Sequence, residues 1–236
     1  MTKLSVNINK VALIRNSRGE DLPDLIKFAK DCEAYGADGI TVHPRPDERH
    51  VRYDDIAKLK QVVKTELNIE GYPNERFLTM VEDAVPHQCT LVPDPPGVLT
   101  SSSGWDTVSH QSFLIEVISR LQAKGIRVSL FLNADVIQVE AAAAIGTDRI
   151  EFYTGDFAKV FHKSPQVAIE SHILAAKKAN ALGLGINAGH DLNLKNLKYY
   201  AAEIPRLLEV SIGHALISDA LYYGIQNTIQ LYKRLL

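Results

Sequence analysis

The chain has 236 residues, with 26 basic and 28 acidic side chains and a formal net charge of -2 at pH 7. This balance gives no general electrostatic pull toward nucleic acid, and no apolar run of about 18 residues offers a membrane span. With 46% hydrophobic and 23% charged residues the composition is that of a globular chain, not a disordered one. At this length a fold buries roughly 70–75% of the surface that the unfolded chain exposes, so no disulfide or metal staple is required. Cys32 and Cys89, the two cysteines, lack any CxxC or other zinc spacing and read as reduced core thiols. The opening MTKLSVNINK has no signal-peptide core. A soluble, cytoplasmic product with no nucleic-acid and no membrane partner is expected.

Hydrophobic period gives short strand-like runs at Leu4–Asn9, Gly39–His43, Leu67–Tyr72, Gln88–Val92, Arg127–Asn133, Arg149–Tyr153, Gly185–Ala188 and Leu208–Ile212. Helical patterns fill the gaps: Leu22–Tyr35, Asp54–Thr65, Glu75–Ala84, Val108–Lys124, Ala134–Ile145, Pro165–Leu182 and Leu194–Ala202, with Ala215–Leu236 closing the chain. Glycines at 36, 125, 146 and 183 mark helix stops. The first helix is expected to start at Asp21-Leu22-Pro23, with a cap and a proline in its first turn. Eight strand–helix alternations predict an α/β fold, a (β/α)8 TIM barrel, in one domain over 1–236. The longest irregular stretch, 93–106 (PDPPGVLTSSSGWD), follows the fourth strand and reads as a lid or binding loop.

Barrel active sites form where strands end, so the residues at those positions carry information. Strand one ends in Asn7-Ile8-Asn9-Lys10 and strand two in His43, followed by Arg45, Arg49 and His50. Strand three carries Glu70, strand six Glu151, strand seven His190, and strand eight runs into Gly213-His214. A carboxylate at Glu70 that faces the barrel mouth would be desolvated, its pKa raised into the range useful for proton transfer. Gly213-His214 at a helix start offers bare N–H groups for a phosphate. Of Arg15 and Arg18, in the stretch after strand one, one reads as a surface charge and the other as a clamp on an anion. His87, His110, His162 and His172 read as structural or solvent-exposed. Zinc is not expected, because asparagines stand on strand one where a metal barrel would carry histidines. The set suggests proton transfers on a phosphorylated small molecule.

The chain also resembles a known family. VNINKVALIRNSRG at 6–19, GADGITVHPRPDERH at 36–50, NIEGYP at 68–73, LVPDPPGVLTSSSGWD at 91–106, VSLFLNAD at 128–135, IEFYTG at 150–155, INAGHDLN at 186–193 and IGHALI at 212–217 occur in the order and spacing of the pyridoxine 5'-phosphate synthases. The resemblance implies a barrel with extra helices that condenses 3-amino-2-oxopropyl phosphate with 1-deoxy-D-xylulose 5-phosphate. The products are pyridoxine 5'-phosphate, phosphate and water. It implies no metal or organic cofactor, and a homo-oligomer, an octamer built as a tetramer of dimers.

By the same resemblance His43 and Glu70 are proton acceptors and His190 the proton donor. Arg45, His50 and Thr100 match contacts to the deoxyxylulose phosphate. Asn7, Arg18, Asp191, Gly213 and His214 match positions that hold the amino-ketone phosphate, and Glu151 matches a further polar position of the site. Two departures stand out. The family's common Asp-His pair is replaced by Asn9-Lys10, and the common glycine after His190 by Asp191, whose side chain is expected to point away from a phosphate bound at its N–H. Lys10 is expected to meet the ketose phosphate, and Asn9 stays among the substrate contacts.

Overall fold

The structure, a computed structural model, describes residues 1–94 and 103–236. Parallel strands close into a barrel in chain order: β1 (Lys3–Asn7), β2 (Gly39–Val42), β3 (Glu66–Gly71), β4 (Gln88–Leu91), β5 (Arg127–Leu132), β6 (Arg149–Tyr153), β7 (Gly185–Gly189) and β8 (Leu207–Ile212). Strand β8 pairs back onto β1 from Lys3–Glu209 to Val6–Ile212, so no edge is left open. The expected (β/α)8 barrel is present. Its helices among the described residues are α1 (Asn9–Asn16), α2 (Leu25–Ala34), α3 (Tyr53–Val62), α4 (Glu75–Ala84), α5 (Gln111–Gln122), α6 (Val136–Ile145), α7 (Gly155–Phe161), α8 (Pro165–Ala181), α9 (Leu197–Glu203), α10 (His214–Tyr223) and α11 (Ile225–Lys233). None is long and apolar enough to cross a membrane.

Four local features differ from the sequence expectation. Asn9 begins α1 instead of ending a strand, and the stretch holding Arg15 is helix, not loop. The short α7 follows β6 directly. Helix α2 starts at Leu25, because the Asp24 carboxylate accepts from the N–H groups of Ile26 (2.9 Å) and Lys27 (3.0 Å), which leaves Pro23 outside. The closing helix breaks at Gly224, whose φ of 74° is incompatible with continuing it.

Two layers divide the side chains. Leu4, Val6, Ile40, Leu67, Ile69, Val128 and Leu130 point outward and share one apolar core with Ala29, Leu59, Val81 and Leu121 of the surrounding helices. The alternate strand positions point into the barrel and are polar. Ser5 Oγ meets Thr41 Oγ1 at 2.7 Å, Asn68 Nδ2 donates to Thr41, and Thr90 Oγ1 donates to Asn68 Oδ1 at 3.0 Å. Toward the N-terminal ends of the strands this interior becomes ionic. Arg149 lies 3.7 Å from Glu209 and donates to Asn187, Lys3 lies 3.7 Å from Glu66, and Arg127 pairs with Glu66 and donates to Gln88. Buried charges are tolerated when set against the opposite sign, and on this floor each cation faces a carboxylate.

Helix α1 also grips the segment after β2. Buried Arg15 donates to both oxygens of Asp55, at 2.8 and 2.9 Å, and to the His50 carbonyl. Asn16 Nδ2 faces the carbonyls of Glu48, Arg49 and His50 at 3.3, 3.1 and 2.7 Å, while its Oδ1 accepts from Arg52.

Candidate active site

At the C-terminal rim the barrel opens into a cavity of about 670 Å3. Every strand-end residue singled out from the sequence lines it, with Asn9 and Lys10 from the first turn of α1, Arg45, Arg49 and His50 from the loop after β2, Asp191 after β7, and His214 at the start of α10. Two expected contacts are not in this set. Arg18 is solvent-exposed in the turn after α1, and Thr100 lies outside the described residues, as does most of the expected lid. The described ends of that segment are anchored: Asp94 pairs with Arg45 at 3.1 Å, Gly104 N–H donates to Asn133, and Trp105 donates from its indole to the Leu91 carbonyl. Arg15 is neither the surface charge nor the anion clamp expected of that pair. Its guanidinium is fully engaged by Asp55.

The β1–β3 side is built around Glu70. Its carboxyl lies 3.9 Å from His43 Nδ1, and Asn7 Nδ2 approaches Oε2 at 3.4 Å. Asn7 Oδ1 in turn accepts from the Asn9 N–H, and Asn9 Oδ1 accepts from the His43 N–H at 2.9 Å. Asn9 thus ties the base of α1 to the end of β2. Burial pushes the Glu70 carboxyl up to about 8; Arg45 opposes the rise, and Glu209 and Asp94 add to it. His43 is held well below the ordinary histidine range by burial and by Arg45, His50 and Arg49. His50 is pushed down to about 4 by burial, Arg45, Lys10 and Arg49. Its Nδ1 accepts from the Val51 N–H, which places the ring proton on Nε2. At neutral pH this side therefore holds a protonated carboxyl and two neutral imidazoles within a field of cations.

Across the mouth, Glu151 is 3% exposed, and burial with neighbouring Glu70 and Glu209 raises it well above the ordinary carboxylate range. Gly189 permits this arrangement, because a Cβ there would stand 2.7 Å from Glu151 Oε1 and from the Ser211 carbonyl. His190 follows with φ of 85°, a left-handed conformation rare outside glycine, and its ring lies edge-on to Tyr153. Gly213, the N-cap of α10, passes so close to Asn7 that a Cβ would sit 3.1 Å from it. The first N–H groups of α10 therefore face the cavity beside Asn7.

The remaining histidines are structural or solvent-exposed, as expected of them, and His110 and His162 are exposed. His87 Nδ1 accepts from the Leu67 N–H, His110 Nδ1 contacts the Asp106 carbonyl, and His172 is buried in α8 against the Tyr200 hydroxyl at 2.9 Å. Sequence reasoning overlooked Glu209, Ser211, Thr154 and Asp94. The signal for the first two was available: β8 alternates polar Glu209 and Ser211 with Leu208, Val210 and Ile212, and β3 alternates Glu66, Asn68 and Glu70 in the same way. Period-2 polarity in a buried strand marks a polar barrel interior.

Comparison with known proteins agrees with this geometry. The family model described as pyridoxal phosphate biosynthesis protein PdxJ matches residues 4–236. The chain is 59% identical over 234 residues to a pyridoxine 5'-phosphate synthase of Cytophaga hutchinsonii, covering 99% of this chain and 98% of that one. It is 56% identical over 236 residues to one from Bacteroides thetaiotaomicron, covering 100% of both. Among solved structures, 3-keto-L-gulonate-6-phosphate decarboxylase from Vibrio cholerae superposes with a TM-score of 0.68 at 10% identity, covering 99% of this chain and 96% of that one. Phosphoribosylanthranilate isomerase from Thermotoga maritima gives 0.61 at 13%, covering 100% and 98%. At such identities the structural likeness concerns the barrel alone. With the family matched over nearly the whole chain and relatives more than half identical from end to end, the protein belongs to the pyridoxine 5'-phosphate synthase family of pyridoxal phosphate biosynthesis proteins.

Proposed function

We propose that the chain condenses 3-amino-2-oxopropyl phosphate with 1-deoxy-D-xylulose 5-phosphate to give pyridoxine 5'-phosphate, phosphate and water by acid–base catalysis. The observation that carries it is Glu70, a carboxyl 9% exposed at the bottom of the cavity, 3.9 Å from His43, in a family-matched chain. The amine of one substrate adds to the ketone of the other, and loss of water from the carbinolamine needs a proton delivered to oxygen and one removed from nitrogen. Phosphate elimination needs a base at carbon, and aromatisation needs a further deprotonation with loss of water. Groups held in contrasting environments divide such work.

In the free site Glu70 keeps its proton at neutral pH. A base-competent Glu70 needs positive charge nearby, and the ammonium of the amino ketone brings one. His43, held neutral, is ready to accept a proton without that help. His190 is the donor from the opposite side of the mouth. Arg45, His50 and Lys10 hold the ketose phosphate, with His50 offering its Nε2–H as an uncharged donor. Asn7, Gly213 and His214 hold the amino-ketone phosphate, with the positive end of α10 aimed at it, while the Asp191 N–H, expected to join them, donates to Thr154 Oγ1 instead. By the family resemblance Arg18 completes the amino-ketone phosphate contacts and Thr100 those of the ketose phosphate.

The protein works without metal, in the cytoplasm, as an octamer built from four dimers. Two free, buried cysteines suit a reducing compartment. The exposed Leu221, Tyr222 and Tyr223 on α10 supply apolar surface for assembly. The test is turnover of the two named substrates, followed as pyridoxine 5'-phosphate, before and after chelation, with mass by light scattering. Pyridoxine 5'-phosphate at equal rates with and without chelator is the expected result. Failure to form it from both substrates would overturn the assignment.

A further inference from the structure

His190 and Asp191 are consecutive residues whose side chains meet. Asp191 Oδ2 lies 2.6 Å from His190 Nδ1, a contact between neighbours that the φ of 85° at His190 brings about. The carboxylate is held in place through its own backbone. The Asp191 N–H donates to Thr154 Oγ1 at 3.2 Å, and that hydroxyl donates to the Gly189 carbonyl at 2.5 Å. Asn193 and Asn196 donate to the Asp191 carbonyl at 3.2 and 3.3 Å. The bond from His190 holds Asp191 below the ordinary carboxylate range, with His190, Lys159 and His214 adding their charge, so the group is ionised at neutral pH. An ionised carboxylate only accepts hydrogen bonds. The proton shared along this contact therefore belongs to His190 Nδ1, and Nε2 is the nitrogen that exchanges a proton with substrate.

We infer that Asp191 is a positioning residue for His190: its carboxylate holds the Nδ1–H and aims Nε2 into the cavity, where Nε2 takes a proton in one step of the condensation and, as the imidazolium, returns it to the leaving oxygen in the next. This inference rests on the proposed condensation for its rate effect, but its structural content stands independently. It gives the side chain at 191 a task separate from that of its N–H, which fixes the backbone to Thr154. The side chain is 41% exposed, so its removal leaves the packing of the barrel intact.

The experiment uses the full chain, the two substrates, and nitrogen NMR of the histidine rings, with the His190 signals identified by their loss in His190→Asn. In Asp191→Ala, kcat is expected to fall roughly 10–100-fold, the usual cost of removing a group that orients a working histidine. The KM of each substrate should stay within about twofold, since binding is not what is lost. The His190 ring should shift from the Nδ1–H form toward the Nε2–H form. Asp191→Asn, which keeps an acceptor oxygen, should recover part of the rate and of the tautomer. An unchanged tautomer in Asp191→Ala would overturn the inference. So would a raised KM for the amino-ketone phosphate at full kcat, which would make Asp191 a substrate ligand. If the unaltered chain makes no pyridoxine 5'-phosphate, the proposed function fails, and the tautomer measurement still decides the role of Asp191.

Discussion

The floor and the mouth of this barrel are both polar, yet their charges are treated in opposite ways. On the floor, Glu209 and Glu66 have Arg149, Arg127 and Lys3 as partners, and the amide oxygens of Gln88 and Asn187 accept from Arg127 and Arg149. At the mouth, among the described residues, Glu70 has a distant imidazole and a long contact from Asn7, and Glu151 Oε2 is buried with no hydrogen-bond partner. The same alternating strand pattern thus supplies stability at one end and proton-transfer groups at the other. Burial raises the carboxyls at both ends, and on the floor Arg149 and Arg127 oppose the rise at Glu209, while at the mouth Arg45 opposes it at Glu70.

The largest effect that would sharpen this contrast is at Glu70. Glu70→Gln should lower kcat by about 10²–10⁴-fold, the usual worth of a positioned base. Because the native carboxyl holds its proton to about 8 against an ordinary 4.5, its contribution to stability is present below 4.5 and lost as pH rises through 8. The thermal midpoint of Glu70→Gln should therefore gain on that of the unaltered protein between pH 5 and pH 9. A folded variant with normal turnover would end the distinction between the two regions.

Arg149→Met attacks the floor instead. Stranding Glu209 should cost about 3 kcal/mol in chemical denaturation, as breaking a buried pair does. The folded fraction should retain most of its kcat. A dead but stable variant would show that the floor takes part in the chemistry.

A pH profile probes the mouth alone. kcat/KM should climb through about 8 as Glu70 ionises, with no lower limb from His43, whose proton is already lost. The smallest effect is expected at Lys10, on the cationic side of the cavity. Lys10→Met should raise KM for the ketose phosphate roughly tenfold with a lesser change in kcat. Lys10→Arg should keep part of that affinity, since the charge remains while the geometry changes.

Much of this was legible in the sequence, and the gaps have physical causes. Strand ends could be read because Asn7, His43, Glu70, His190 and Gly213-His214 interrupt apolar runs where a barrel needs loops. Helix α1 escaped because it follows β1 after a single residue, with no glycine or proline to mark the change of period. The ionic floor escaped because Glu66, Arg127, Arg149 and Glu209 lie far apart in the chain and become partners only when the barrel closes. Arg15 and Arg18 looked alike as a pair, and only the position of Asp55 separates the buried one from the exposed one. Asp191 was expected to turn its side chain from the phosphate, but its contact with His190 depends on a backbone angle that composition does not encode.

The hold that Asn16 and Arg15 exert on residues 48–50 bears on how this scaffold can be re-engineered. In many barrels each rim loop is an independent module, free to be lengthened or exchanged. Here the loop after β2 is fastened through its own carbonyls to a helix that follows β1. Arg45 and His50 therefore cannot be transplanted without α1. A graft should carry residues 7–55 as one cassette, and a circular permutant should be cut elsewhere on the barrel.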